Sequence, residues 1–248
     1  MQNMNFKDFY IGCSGFYNPA WKGSFYPADA KNLDFLTLYS QQLNAVEINS
    51  TFYRKPTVKT LERWKSETPD DFKFFIKIPK AITHINRLVD SKNSVDGFCS
   101  YISENLGEKL AGFLYQFPPS FKNTEETREL IGKNIANDFL NVIEFRHETW
   151  FDEEAFKFLA KLKLVFSGTS FPGKIPDTLI ANHPKILYYR LHGNPFLYKS
   201  EYTEEFLVNL AENLIKSNRK SFIFFNNTWG TSAIKNAPEL IQIIKNKL

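Results

Sequence analysis

The sequence predicts an α/β protein folded as one (β/α)8 barrel of the TIM type, with parallel strands and an active-site mouth at their carboxyl ends. Three observations carry this expectation. Short apolar runs bounded by turn residues recur eight times, near 9–15, 44–50, 73–79, 110–117, 140–147, 163–169, 185–192 and 221–227. Stretches with helical spacing lie between them, and most of the runs turn polar on one face as they near their ends. Parallel strands need helical crossovers, and eight such units close without leaving an edge. A doubly wound open sheet is the competing architecture. No composition shift, linker, low-complexity tract or repeat marks a boundary, so residues 1–248 are expected to form a single domain.

Each element follows from alternation along strands and periodicity along helices. In Y-I-G-C-S-G the first strand ends at Ser14, and Leu33, Leu36, Leu38 and Leu43 then mark a helical face. In A-V-E-I-N-S, Glu47 and Asn49 share one side, with Val46 and Ile48 opposite. F-K-F-F-I-K-I-P puts Lys73 and Lys77 on its polar face, and L-A-G-F-L-Y-Q-F puts Gln116 there. The fifth run sets Val142, Glu144 and Arg146 against Ile143 and Phe145. Asp152 caps the helix that starts E-E-A-F-K-F-L. In L-Y-Y-R-L-H-G, Arg190 and His192 share a face opposite Leu187, Tyr189 and Leu191. Thr203 caps E-E-F-L-V-N-L, whose apolar stripe is Phe206, Leu207, Leu210, Leu214 and Ile215, and I-F-F-N-N brings Asn226 to the end of the last strand.

Composition excludes more than it assigns. A balance of 31 Lys+Arg against 27 Asp+Glu gives +4, too little to announce a nucleic-acid or membrane partner by charge alone. Cys13 and Cys99 lie far apart, with no CxxC spacing, which fits a reducing cytoplasm. The opening M-Q-N-M-N-F-K-D-F-Y lacks the order of a signal peptide, and no apolar run approaches the roughly 20 residues of a membrane span. A cytoplasmic protein without a membrane partner is the expectation.

Seven motifs stand in order along the chain: I-G-C-S-G-F-Y-N-P-A-W-K-G-S-F-Y-P, V-E-I-N-S-T-F-Y-R-K-P, F-K-I-P-K-A-I-T-H-I-N-R-L, L-Y-Q-F-P-P-S-F, I-E-F-R-H-E-T-W, Y-Y-R-L-H-G and F-F-N-N-T-W-G. Together they resemble the family catalogued as domain of unknown function 72. The resemblance implies a TIM-barrel fold and, as the family's name says, leaves the activity unsettled. One departure stands out: members often carry an Asp at the end of the sixth strand, where this chain reads S-G-T-S, so Thr169 or Ser170 takes that place.

The inward polar faces set out the candidate chemistry. Glu47 and Glu144 are the acidic side chains that alternation turns inward, and they are the candidates for proton transfer, with His192 as orienter or second acid/base. The competing reading is structural, an ion pair such as Glu144 with Arg190; neighbouring cations would also depress a carboxylate's pKa and make it a poorer acid. Glu47, Glu144 and His192, with His84 or His147 nearby, could converge on a divalent ion. No close-spaced motif such as HExxH supports one, so no metal ligand is assigned and the cofactor stays open.

Anion binding has broader support. Lys77, Arg146 and Arg190 outnumber the inward glutamates, and Lys22, Arg54 and Arg87 lie in loops beyond strand ends. Gly193, and Gly230, Thr231 and Ser232 in N-N-T-W-G-T-S, stand where such folds often hold a phosphate, or where an ordinary glycine turn and cap would be. Tyr17, Trp21, Tyr53, Trp150 and Trp229 follow strands and either form stacking walls or pin loops. The substrate-binding set is therefore Ser14, Trp21, Asn49, Tyr53, Lys77, His84, Gln116, Arg146, Arg190, Gly193, Asn226 and Asn227. No Walker loop, dinucleotide GxGxxG or Ser-His-Asp elbow is present.

The reading that follows is an enzyme of hydrolase or isomerase type acting on a small anionic, phosphorylated or sugar-like molecule. The alternatives are a nucleic-acid-binding or phosphodiester-processing protein, and a ligand-binding module without catalysis. Substrate, reaction and oligomeric state stay open.

Overall fold

A computed structural model describes residues 4–135 and 138–248; the first three residues of the M-Q-N-M stretch lie outside the described residues. Nine strands and seven α-helices lie among these residues: β1 Phe9–Cys13, α1 Phe35–Ser40, β2 Ala45–Ile48, α2 Val58–Ser66, β3 Lys73–Lys77, α3 Lys92–Leu106, β4 Leu110–Gln116, α4 Glu125–Asn134, β5 Asn141–Glu144, α5 Glu153–Lys161, β6 Val165–Phe166, β7 Gly168–Ser170, β8 Ile186–Leu191, α6 Glu204–Ser217, β9 Lys220–Phe225 and α7 Ser232–Lys247. Asp152 and Thr203 cap α5 and α6, each accepting from a backbone N–H in the first turn. Thr57 and Thr124 do the same for α2 and α4.

The expectation of one closed eight-stranded barrel is corrected here. The strands form two separate parallel sheets, one of four in the order β1-β9-β8-β7 and one of five in the order β2-β3-β4-β5-β6. The hydrogen-bonded ladder is interrupted at two seams, and side chains fill both.

At the first seam, Asn44 stands where a residue of a paired strand would. It accepts from Ile11 N–H at 2.8 Å through Oδ1 and donates from Nδ2 to Phe9 O at 2.8 Å. Tyr39 Oη accepts from Cys13 N–H at 2.6 Å and donates to Ala45 O at 3.0 Å, and a single bridge, Ser14 with Glu47, links β1 to β2. At the second seam the expected sixth strand breaks at Ser167. Its first half pairs with β5 and its second with β8. Asn182 repeats the device of Asn44, accepting from Phe166 N–H at 2.8 Å and donating to Leu164 O at 2.9 Å. Each asparagine supplies the acceptor and donor that a neighbouring peptide unit would have supplied.

The crossover from β7 to β8 carries no α-helix among the described residues, whereas the other links of seven or more residues between laddered strands do, apart from short 3-10 turns. Two apolar cores result. The larger lies under the helices and includes Ile11, Val46, Phe74, Phe113, Ile143, Leu187 and Ile223. The smaller lies between the sheets: Ala45, Phe75, Leu114, Val142 and Val165 from one meet Tyr188, Phe222 and Phe224 from the other. The inner polar residues sit above this second core, nearer the carboxyl ends of the strands.

Gly12 sets how closely β1 approaches the first seam. A Cβ there would stand 1.8 Å from Ala45 O and 2.8 Å from Tyr39 Oη, so no larger residue fits without parting β1 from β2. Gly12→Ala is expected to destabilise the protein by about 2 kcal/mol or more, read as a lowered midpoint in denaturant unfolding, because overpacking against backbone cannot relax through a rotamer change. An unchanged midpoint would show that the seam has slack.

Candidate functional site

Arg190, on β8, organises the inner polar group. Its Nη2 donates to Glu47 Oε1 at 2.5 Å and its Nη1 to Glu144 Oε2 at 2.6 Å, so one guanidinium of the four-stranded sheet holds two carboxylates of the five-stranded sheet. All three are buried. Glu47 also accepts from Ser14 Oγ at 2.7 Å and from Tyr188 Oη at 2.6 Å, while Arg146 ion-pairs with the other oxygen of Glu144.

The charge states follow from this geometry. Burial alone would raise the Glu47 carboxyl, but the Arg190 charge and the hydrogen bonds from Arg190, Tyr188 and Ser14 outweigh it and hold the group below its ordinary value. For Glu144 burial is likewise overcome, here by Arg146, Arg190 and His192, and the carboxyl lies well below the usual range. Both glutamates are carboxylates at neutral pH and therefore poor proton donors.

His192 is buried and neutral. Burial first, then the Arg146 and Arg190 charges, push its pKa down to about 3 against the opposing pull of Glu144. Its Nε2 lies 3.0 Å from Arg146 Nη2 and 3.3 Å from Glu144 Oε2, and its Nδ1 lies 2.9 Å from the Asn226 side-chain amide. With both ring nitrogens engaged, the imidazole is an oriented part of the floor.

Above this floor the groups reach towards solvent. Lys77, Gln116, Asn226, Asn49 and Ser14 are half-buried. Lys77 Nζ donates to Gln116 Oε1 at 3.0 Å and sits 4.4 Å from the centre of the Phe52 ring. Burial and the Arg190 and Arg146 charges lower the Lys77 ammonium to about 8, with Glu144 and Glu47 opposing. Arg146 lies 4.0 Å over the Phe171 ring, and its Nη1 has no hydrogen-bond partner among the described residues.

Other expected residues are placed differently. His84 contacts Thr83 Oγ1 at 2.9 Å and meets Phe52 edge-on, beside the mouth. Tyr53 is exposed at the rim. Gly193 donates its N–H to Tyr202 Oη, and Asn227 donates to Ser200 O, so both brace the loop after β8 away from the floor. Trp21 and Trp150 are buried, their indole N–H groups donating to Gly230 O and Phe121 O; they pin loops and do not form stacking walls. Tyr17 and Trp229 are exposed. Among the described residues no group of three or more His, Cys, Asp or Glu side chains is arranged to hold a metal ion, and Arg190 occupies the oxygens of Glu47 and Glu144 that would face one.

Tyr188, Phe52 and Phe171 were not among the expected residues. Tyr188 shares the parity of Arg190 and His192, so alternation could have found it. The aromatics on Lys77 and Arg146 come from loops, where no periodicity points.

The fold and this cluster define a class: an α/β protein of two facing parallel sheets with an ionic floor beneath a half-buried cationic mouth. The family described as "Protein of unknown function DUF72" matches residues 10–248, and the chain belongs to that family. It is 26% identical to the UPF0759 protein YunF of Bacillus subtilis over 95% of this chain and 94% of that protein, and 28% identical to the UPF0759 protein YecE of Escherichia coli K12 over 57% of this chain and 50% of that one. Among solved structures it is similar to a DUF72 family protein from Thermotoga maritima, with a TM-score of 0.86 and 30% identity over 96% of this chain and 99% of the other. A DUF72 family protein from Enterococcus faecalis, at 19% identity and a TM-score of 0.78 over 96% of this chain and 97% of the other, shares the fold. No helix among the described residues is long and apolar enough to cross a membrane.

His192 gives the site a measurable pH signature. The folded protein takes up this proton only near pH 3, whereas the free side chain does so near 6.5. Between those values the unfolded chain holds more protons, so stability falls as pH drops through 6.5, by up to about 1.4 kcal/mol per pH unit for this one group. Unfolding free energies measured in denaturant between pH 7 and 4 should therefore fall more steeply for the native protein than for His192→Gln. Parallel curves would mean that the ring is charged in the fold.

Proposed function

We propose that this protein is an enzyme that binds a small anion at Lys77, Arg146, Asn226 and Gln116 and carries out proton transfer of the isomerase type, with hydrolysis the second reaction to test. The observation that supports it most is the charge balance of the cluster. Lys77, Arg146 and Arg190 face two carboxylates, and with His192 neutral one positive charge is left uncompensated at the half-buried mouth. A buried ionic network of this kind is less stabilising than apolar packing of the same volume, which favours a role for it beyond stability.

The roles differ from those the sequence suggests. Glu47, Glu144 and Arg190 form a fixed electrostatic floor, held by their mutual pairing. Lys77 is the group for proton transfer, because a pKa of about 8 leaves a useful fraction of free amine near neutral pH while the ammonium remains available as acid. Arg146, whose Nη2 is taken by Glu144 and His192 and whose Nη1 is buried, attracts the anion through its charge. His192 orients Arg146.

Two substitutions test this against a panel of sugar phosphates and oxo acids. Lys77→Arg keeps the charge but cannot release a proton at working pH; it should bind the anion within a few-fold of the native protein and lose at least 100-fold in kcat. The native kcat/KM should change across a pH near 8, and equal turnover by Lys77→Arg would remove Lys77 from the chemistry. Lys77→Met should abolish turnover yet raise unfolding free energy at pH 7 by about 1 to 3 kcal/mol, because the native lysine is held charged below its ordinary pKa of 10.5 and the substitution removes that penalty. A less stable Lys77→Met protein would contradict the assigned charge state.

A further inference from the structure

Beside the mouth a cavity of about 540 Å³ opens between the segment after β2, the segment after β3 and the first turns of α3. Its lining includes Arg54, Lys55 and Lys80 and no Asp or Glu. All three cations are exposed, and among the described residues none of them is ion-paired with a carboxylate. Lys55 instead lies 3.5 Å over the Tyr101 ring. Unbalanced positive charge in a concave site attracts anions, since low-dielectric walls focus the field.

The cavity and the mouth share a wall. Phe52 lines the cavity while its ring faces Lys77 at 4.4 Å and His84 at 4.9 Å. Thr51, also in the lining, donates from Oγ1 to Lys77 O at 2.6 Å. Tyr53, 82% exposed, stands at the edge as an open ring face. Asn93 and Ser94 add side-chain donors on the opposite wall, and Gly97 leaves room there. His84 registers the local field: burial, then Lys77, Lys80 and Arg87, lower it to about 4.

We propose that this cavity is a second anion subsite, taking the phosphate-bearing arm of an elongated small molecule whose reacting end lies at Lys77; the assignment of the two ends rests on the anionic-substrate reading of the mouth. Arg54, Lys55 and Lys80 supply the charge for a pyrophosphate or bisphosphate group, and Tyr53 offers a ring face to whatever joins that group to the rest of the molecule.

The test is calorimetric titration of the full chain at low salt with inorganic pyrophosphate and, in parallel, inorganic phosphate. The proteins are native, Arg54→Ala/Lys80→Ala and Arg146→Met. Pyrophosphate should bind the native protein more tightly than phosphate. The double substitution should weaken it at least tenfold, and Arg146→Met should change it less than threefold. All the cavity substitutions are at exposed positions, and a thermal melt checks that the double variant and Arg146→Met are both folded. Pyrophosphate affinity unchanged in the double variant would overturn the subsite. So would the absence of pyrophosphate binding by the native protein. If Arg146→Met leaves every mouth ligand unaffected while the cavity substitutions still weaken pyrophosphate, the mouth reading fails and the subsite stands.

Discussion

The Arg190 guanidinium is the interaction on which this structure turns. It reaches from the four-stranded sheet to Glu47 and Glu144, which belong to the five-stranded sheet, and so joins two layers that share no continuous ladder. Removing one partner from such a buried group leaves an uncompensated charge at a penalty of about 3 to 5 kcal/mol, far more than the net worth of the intact pairs. That asymmetry explains why the neighbouring polar groups are so fully committed. Ser14 and Tyr188 satisfy Glu47, Arg146 completes Glu144, and His192 is held neutral among them. Each residue of the floor is held rigidly by at least one partner, although the buried Arg190 Nε and Arg146 Nη1 have no hydrogen bond of their own.

From that rigidity comes a division of labour. Groups at the floor have their charges fixed by burial and pairing, whereas Lys77, one layer higher, has its pKa moved towards neutrality by burial first and then by the Arg190 and Arg146 charges. The cluster thus separates charge that is permanent from charge that can change, an arrangement found where a fold must both hold an ion and move a proton. The cavity at Arg54, Lys55 and Lys80 carries the positive field outward from this centre, through the wall formed by Phe52.

Much of the polar cluster was legible in the sequence because strand alternation is a strict geometric rule. Glu47, Lys77, Gln116, Glu144, Arg190 and Asn226 each follow from parity, and they do meet. Continuity of the ladder was not legible. The apolar run at 163–169 reads as one strand, and nothing in its composition marks Ser167 as the residue where pairing passes from one neighbour to the other. Asn44 and Asn182 look like ordinary turn asparagines, and only their bonding shows them standing in for peptide groups. The loop aromatics were ambiguous for a related reason: the rings of Trp21 and Trp150 turn inward and that of Tyr53 turns outward, and no periodicity in a loop decides between these outcomes.

The two asparagine seams have a mechanical consequence. A continuous ladder resists parting because many peptide hydrogen bonds must yield together, but the Asn44 amide and Tyr39 hydroxyl carry the load along one seam and the Asn182 amide along the other, and groups on rotatable stems can let go singly. The molecule therefore has two built-in fault lines, running along its strands on either side of the four-stranded layer. Slow breathing of the interior, including any exchange of its amide protons with solvent, would begin there.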